Sequence, residues 1–169
     1  PKLTFSKPEW FSQVESEVMQ AHTKVALFDQ STLGKIRIKG PDAETFLDRI
    51  CTNNMKRAPG QVIYTAILNN RGTFESDLVA LRLSDECYLL YVGTTSVKRD
   101  LSWLKCHLEP GERIKITDET EFFAVLALAG PESARIAAEA GASELIDLKY
   151  FHHMATEIAG ILVRAMRVS

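Results

Sequence analysis

Residues 64–81, YTAILNNRGTFESDLVAL, hold two apolar, β-prone runs around a short polar turn that ends in glycine. This pattern constrains the chain more than any other, because it specifies a β-hairpin. Strand side chains alternate between faces, so Asp77 points the same way as Val79 and Leu81. That face is expected to be dry, and a carboxylate on a dry face is costly unless something pairs with it. Either the protein supplies the partner or a ligand does. An even-numbered loop, residues 70–71 or 69–72, places Tyr64 directly opposite Asp77, a phenol beside a carboxylate. A three-residue loop, 70–72, moves the partner to Thr65 and turns Tyr64 away. The even loop gives the better chemistry, and its register is the one expected.

At 169 residues the chain has the size of a single domain, with its apolar fraction that of an ordinary globular protein. A net charge of −2 gives no electrostatic case for nucleic acid or an anionic membrane. No apolar run approaches the roughly 20 residues of a membrane span, and residues 1–9 lack the apolar core of a signal peptide. Cys51, Cys87 and Cys106 are odd in number and widely spaced, which suits neither a zinc site nor a disulfide framework. They read as reduced thiols of the cytoplasm or a mitochondrial matrix, with Cys51 and Cys106 as packing residues. His152 and His153 would face opposite ways in a strand, so no metal is expected there.

Residues 9–23 carry Trp10, Phe11, Val14, Val18 and Ala21 at helical spacing, which places Trp10 in the core. Residues 25–28 and 35–39 read as strands, and the strict alternation of the second, KIRIK, implies one wet face. Gly40-Pro41-Asp42 opens a helix to about residue 50, with proline at a first helical position. Strands are expected at 87–92, 113–117 and 122–128. Helices are expected at 96–107, whose apolar stripe takes in Trp103 as a core residue, and at 130–140. Residues 156–168 read as two strands meeting at Gly160. The segment IRIKGPD at 36–42 echoes LALAGPE at 126–132, so the two are candidates for copies of one strand-turn-helix unit in an α+β domain. Pro1 in place of methionine suggests a trimmed start or an excised segment, and an apolar strand running to Ser169 suggests an incomplete domain.

The order of these segments resembles the amino-terminal folate-binding domain of the aminomethyltransferase family. That family includes the glycine-cleavage T-protein and the folate domains of dimethylglycine and sarcosine oxidoreductases. The resemblance rests on LFDQS at 27–31, GPDA at 40–43, CTNN at 51–54, YTAILN at 64–69, SDL at 76–78, DLSW at 100–103 and AGP at 129–131. The Ser76-Asp77 pair, Gly93 and the VRAMRVS ending look more like the dimethylglycine and sarcosine branch. Asn54 stands where the family usually has aspartate, and Leu162 where proline is frequent.

What the resemblance implies is specific. The fold would be α+β, an antiparallel sheet with packed helices, with residues 1–169 forming a single partial domain. The bound cofactor would be tetrahydrofolate, with FAD only in a fused or partner oxidoreductase domain. Asp77 would be the catalytic group beside the reacting nitrogen, where a carboxylate steadies positive charge or relays a proton. Tyr64, Leu33, Val79, Leu81, Tyr91 and Gly93 would line the same pocket. Lys56, Arg57 and Arg71 read as solvated loop charges rather than contacts to an anionic tail. Family members continue beyond the position of Ser169 into a glutamate-bearing segment that holds the pterin, so this chain alone is expected to be inactive. The alternatives are a regulatory or interaction scaffold of the same fold, or a folate-dependent transferase with a different donor.

Overall fold

The computed structural model describes residues 5–169. Helix α1 (Phe11–Thr23) leads into β1 (Ala26–Asp29), β2 (Gly34–Lys39) and helix α2 (Ala43–Ile50). The central strands β3 (Val62–Leu68), β4 (Phe74–Ser84) and β5 (Cys87–Val92) precede α3 (Val97–Cys106). Then come β6 (Lys115–Asp118), β7 (Leu126–Ala129), α4 (Ser133–Glu139), β8 (His152–Ile158) and β9 (Ile161–Arg167). Five strands make one antiparallel sheet in the order β3-β4-β5-β2-β6, while β1–β7 and β8–β9 form separate antiparallel pairs. The fold is α+β, as expected.

The main core lies on one face of the five-stranded sheet. Ile36, Ile38, Ile63, Ile67, Leu78, Ala80, Leu90 and Val92 pack there with Phe46 and Leu47 of α2 and Leu104 of α3. Ala43, Phe46 and Leu47 recur at helical spacing, which is why α2 buries a single stripe. The other face carries a smaller cluster, Val62, Leu81 and Leu89, against which Phe151 and Met166 of the terminal hairpin segment pack. That hairpin is tied to the sheet by backbone: Val62 N–H donates to the Phe151 carbonyl at 2.9 Å, and His153 N–H to that of Gly60 at 2.8 Å.

The two Gly-Pro-acidic segments adopt the same local structure. Gly40 and Gly130 both have positive φ, at 150° and 124°. A Cβ on Gly40 would lie 2.0 Å from the Arg113 carbonyl oxygen, and one on Gly130 2.5 Å from that of Lys24. Each of those carbonyls sits two residues before the strand that pairs with the glycine's own strand. Only glycine permits this approach, so the echo is a repeated strand-to-helix junction.

Several expectations need correction. Trp10 is exposed at 44%, and α1 buries none of its residues, so its apolar stripe is not core. Trp103 does pack, partly buried, against the main core. The charged face of β2 is wet only toward its end: Lys39 is exposed, but Arg37 is half-buried and pairs with Glu119 at 2.6 Å, and Lys35 is fully buried, its ammonium donating to the Ser31 carbonyl at 2.8 Å. Strict alternation marks two faces but does not say which is covered. The strand expected at 122–128 begins only at Leu126, because Thr120–Phe122 forms a 3-10 turn. Its start is fixed by Thr120 N–H donating to the Asp118 carboxylate at 2.9 Å. Pro41 lies before the helix cap Asp42 rather than at a first helical position. Cys106 is exposed, whereas Cys51 packs against the core and burial pushes its thiol up to about 12.

Candidate functional site

The β3–β4 hairpin departs from the expected register and still delivers the expected contact. Its loop is residues 70–72, with Gly72 at φ 74° and Asn69 N–H donating to the Thr73 carbonyl at 2.9 Å. Taken alone, this odd loop would turn Tyr64 to the other face. A β-bulge follows: Leu68 pairs with Phe74 but Ile67 with Ser76, so Glu75 is an extra residue on β4. The bulge reverses the parity once more. Ala66 therefore faces Asp77 and Tyr64 faces Val79. Tyr64 reaches Asp77 diagonally, its phenol donating to the Asp77 carboxylate at 3.0 Å.

The turn that sets this parity is built by one side chain. The Asn69 carboxamide oxygen accepts from the backbone N–H of Arg71 at 2.9 Å and of Thr73 at 3.2 Å. Its nitrogen donates to the Thr73 hydroxyl at 2.6 Å and to the Glu75 carboxylate at 2.8 Å. The bulged residue is thus anchored to the loop that precedes it.

Continuing the register across the sheet gives rows of side chains on one face. One row is Tyr64, Val79, Tyr91 and Lys35; its neighbour is Val62, Leu81, Leu89 and Arg37. Gly34 pairs with Val92, so Leu33 and Gly93 lie just past the paired ends of β2 and β5, at one edge of this face. The structure thus brings Tyr64, Asp77, Val79, Leu81 and Tyr91 to one side of the sheet, with Leu33 and Gly93 at its rim. The face is not dry throughout. Leu81 is buried and Val79 and Tyr91 half-buried, but Asp77 is exposed and Tyr64 is 55% exposed. The carboxylate therefore keeps its hydration and needs no buried counter-charge.

The electrostatics of this face follow from its contacts. The hydrogen bond to Asp77, reinforced by that carboxylate's charge, raises the Tyr64 phenol above its ordinary value. Burial does the same for Tyr91, opposed by the charges of Arg164 and Arg37. Arg164 of β9 donates to His153 Nδ1 at 3.0 Å, and His153 Nε2 lies 2.9 Å from the Arg82 carbonyl. Nε2 therefore carries the proton and Nδ1 accepts. Among the described residues Arg164 has no carboxylate partner within ion-pair distance.

Sequence reasoning missed the support behind the face. Asp100 of α3 is 2% exposed and accepts from the Ser76 hydroxyl at 2.6 Å and the Ser96 hydroxyl at 2.7 Å. The spacing of Ser96 and Asp100, four residues apart at a helix start, was a usable signal. Nothing local connects either residue to Ser76. A separate cleft of about 220 Å³, lined by Arg49, Ile50, Leu68, Asn70, Trp103 and His107, contains none of the expected site residues. Arg49 there is already paired with Glu109 and Glu112.

Comparison with known proteins gives a consistent picture. The model of the GCVT N-terminal domain matches residues 2–169. An aminomethyltransferase of Bacillus velezensis is 32% identical over 145 residues, 85% of this chain and 39% of the relative. One from Oceanobacillus iheyensis is 33% identical over 146 residues, again 85% of this chain and 39% of the relative. The chain thus spans about two-fifths of the length of these relatives. The crystal structure of glycine cleavage system aminomethyltransferase T from Bartonella henselae superposes with a TM-score of 0.70 at 26% identity, covering 82% of this chain and 37% of that one. Heterotetrameric sarcosine oxidase from Corynebacterium sp. U-96 has the same fold, with a TM-score of 0.65 at 15% identity over 98% of this chain and 83% of its own.

Proposed function

Because this chain belongs to the GCVT N-terminal domain family, we propose that its Tyr64–Asp77 face is one wall of a tetrahydrofolate site for one-carbon transfer. The single observation that carries the reading is the exposed Asp77 carboxylate held by the Tyr64 phenol at 3.0 Å, beside the half-buried Val79 and Tyr91. This donor set fits a reduced pterin. An apolar strip suits a flat ring, and a carboxylate at its edge suits a ring nitrogen that gains positive charge.

Tetrahydrofolate, when bound, supplies the nucleophilic nitrogen that takes up the one-carbon unit. Asp77 offsets positive charge beside it or accepts its proton, and Tyr64 fixes the direction of the carboxylate. Tyr91, Val79 and Leu81 exclude water from the inner side of the face, while Gly93 and Leu33 leave its rim shallow. Residues 1–169 form one domain in this reading, with the rest of the pocket supplied elsewhere in the full-length protein. The Ser76-Asp77 pair and Gly93 favour a donor of the N-methylated glycine type, with FAD confined to a fused or partner oxidoreductase domain.

The test uses the full-length protein. Tetrahydrofolate binding is measured by calorimetry and one-carbon capture by single-turnover kinetics, for wild type and Asp77→Asn. Asp77→Asn is isosteric, so binding should persist while capture slows by on the order of a hundredfold. A full-length protein that binds no tetrahydrofolate would sink the reading, and an Asp77→Asn variant with an unchanged rate would remove the role of Asp77.

A further inference from the structure

We infer that Asp100 is a positioning residue. Through Ser76 and Ser96 it locks the strand that presents Asp77 to the turn that carries Gly93, without touching a ligand itself. The reason begins with the ladder. Strand β5 pairs with β4 from Leu78 to Ser84 only, so residues 74–77 run past the paired end of β5. On that side Asp77 has no neighbouring strand. The chain beyond β5 instead turns at Gly93, whose carbonyl accepts the Ser96 N–H at 3.0 Å, and enters α3.

Asp100 fills the gap left by the missing ladder. Its Oδ2 accepts from the Ser76 hydroxyl at 2.6 Å on one side and from the Ser96 hydroxyl at 2.7 Å on the other. The Ser96 hydroxyl also lies 2.9 Å from the Gly93 carbonyl, but it has one proton. The charged, closer acceptor takes it. Oδ1 receives Arg99 Nε at 3.2 Å, which balances the charge of a carboxylate that is 2% exposed. Ser76 is itself 4% exposed and points to the helix side, so its neighbour Asp77 points to the open face. One buried carboxylate thus fixes the backbone on which Asp77 stands, immediately after the bulge at Glu75, where a strand is most easily displaced.

This inference rests on the proposed function for its catalytic consequence, although its geometry stands without it. The experiment therefore reads both. In the full-length protein, the Tyr64 phenol is followed by ¹³C-tyrosine NMR over a pH series, with Tyr64→Phe assigning the signal. Ser76→Ala and Asp100→Asn should move the Tyr64 midpoint back toward the ordinary tyrosine value, because Asp77 no longer holds station beside it. The same variants should slow one-carbon capture by on the order of tenfold, while tetrahydrofolate affinity changes less than about twofold. Ser76→Ala removes a single hydroxyl and is the variant that decides if Asp100→Asn does not fold. A folded Ser76→Ala with an unmoved Tyr64 titration overturns the inference. A moved titration with an unchanged rate supports the positioning role and counts against the folate chemistry assigned to Asp77.

Discussion

Arg82 takes a guanidinium into the helix side of the sheet, where its side chain is 8% exposed, and leans on Glu44 of α2 for its charge. Its Nε has no hydrogen-bond partner among the described residues, so the ion pair does most of the compensation. Removing Glu44 would leave a nearly buried cation with only the longer contact to the exposed Asp85 carboxylate, at 3.5 Å, which costs more than losing a surface pair. Glu44→Ala should therefore destabilise the protein by about 3 kcal/mol in urea unfolding. Glu132→Ala, whose partner Arg135 is more than half exposed, should be nearly silent. Tyr64 and Asp77 belong to this second regime by exposure. Their hydrogen bond serves orientation, and it persists at neutral pH because the phenol's shift is upward, away from neutrality.

Among the elements, the β3–β4 hairpin separates what a pattern can reveal from what it cannot. Alternation placed Asp77, Val79 and Leu81 on one face, and that much follows from backbone pleat alone. The loop is odd where an even one was expected, and the bulge at Glu75 cancels the error. A bulge has no periodic signature, because it is an interruption of the period. The contact that anchors it, an Asn69 side chain reaching Glu75 across the turn, is visible only when the chain is folded. The glycines make a similar distinction. Gly72 has open space around it, so Gly72→Ala should cost only about 1 kcal/mol of left-handed strain. Gly40→Ala would drive a methyl into the Arg113 carbonyl oxygen and should cost more than about 3 kcal/mol, or prevent folding. Thermal or urea unfolding of the two variants side by side checks the contrast.

At the scale of the molecule, the terminal β8–β9 hairpin is held to the sheet partly by a buried histidine. Burial lowers the His153 value below 6.5, helped by the charges of Arg164 and His152 and opposed by the bond to the Arg82 carbonyl. A base whose folded value is lowered stabilises the fold above its unfolded value, and that stability is lost as pH falls toward the folded one. Unfolding free energy should therefore decline as the solution is acidified below about pH 6.5. His153→Gln, which keeps a donor toward Arg82, should flatten that part of the pH profile, as measured by urea unfolding at a series of pH values. The sequence by itself determined the α+β class, most strand and helix positions, the repeated Gly-Pro junction and the placing of Asp77, Val79 and Leu81 on one face. All of these are consequences of local backbone geometry and side-chain periodicity. Only the tertiary structure decided the hairpin register, the exposure of Asp77, the burial of Lys35, the exposure of Trp10 and the Asp100 link between β4 and α3. Each of these depends on what packs across from a residue, and no local pattern carries that information.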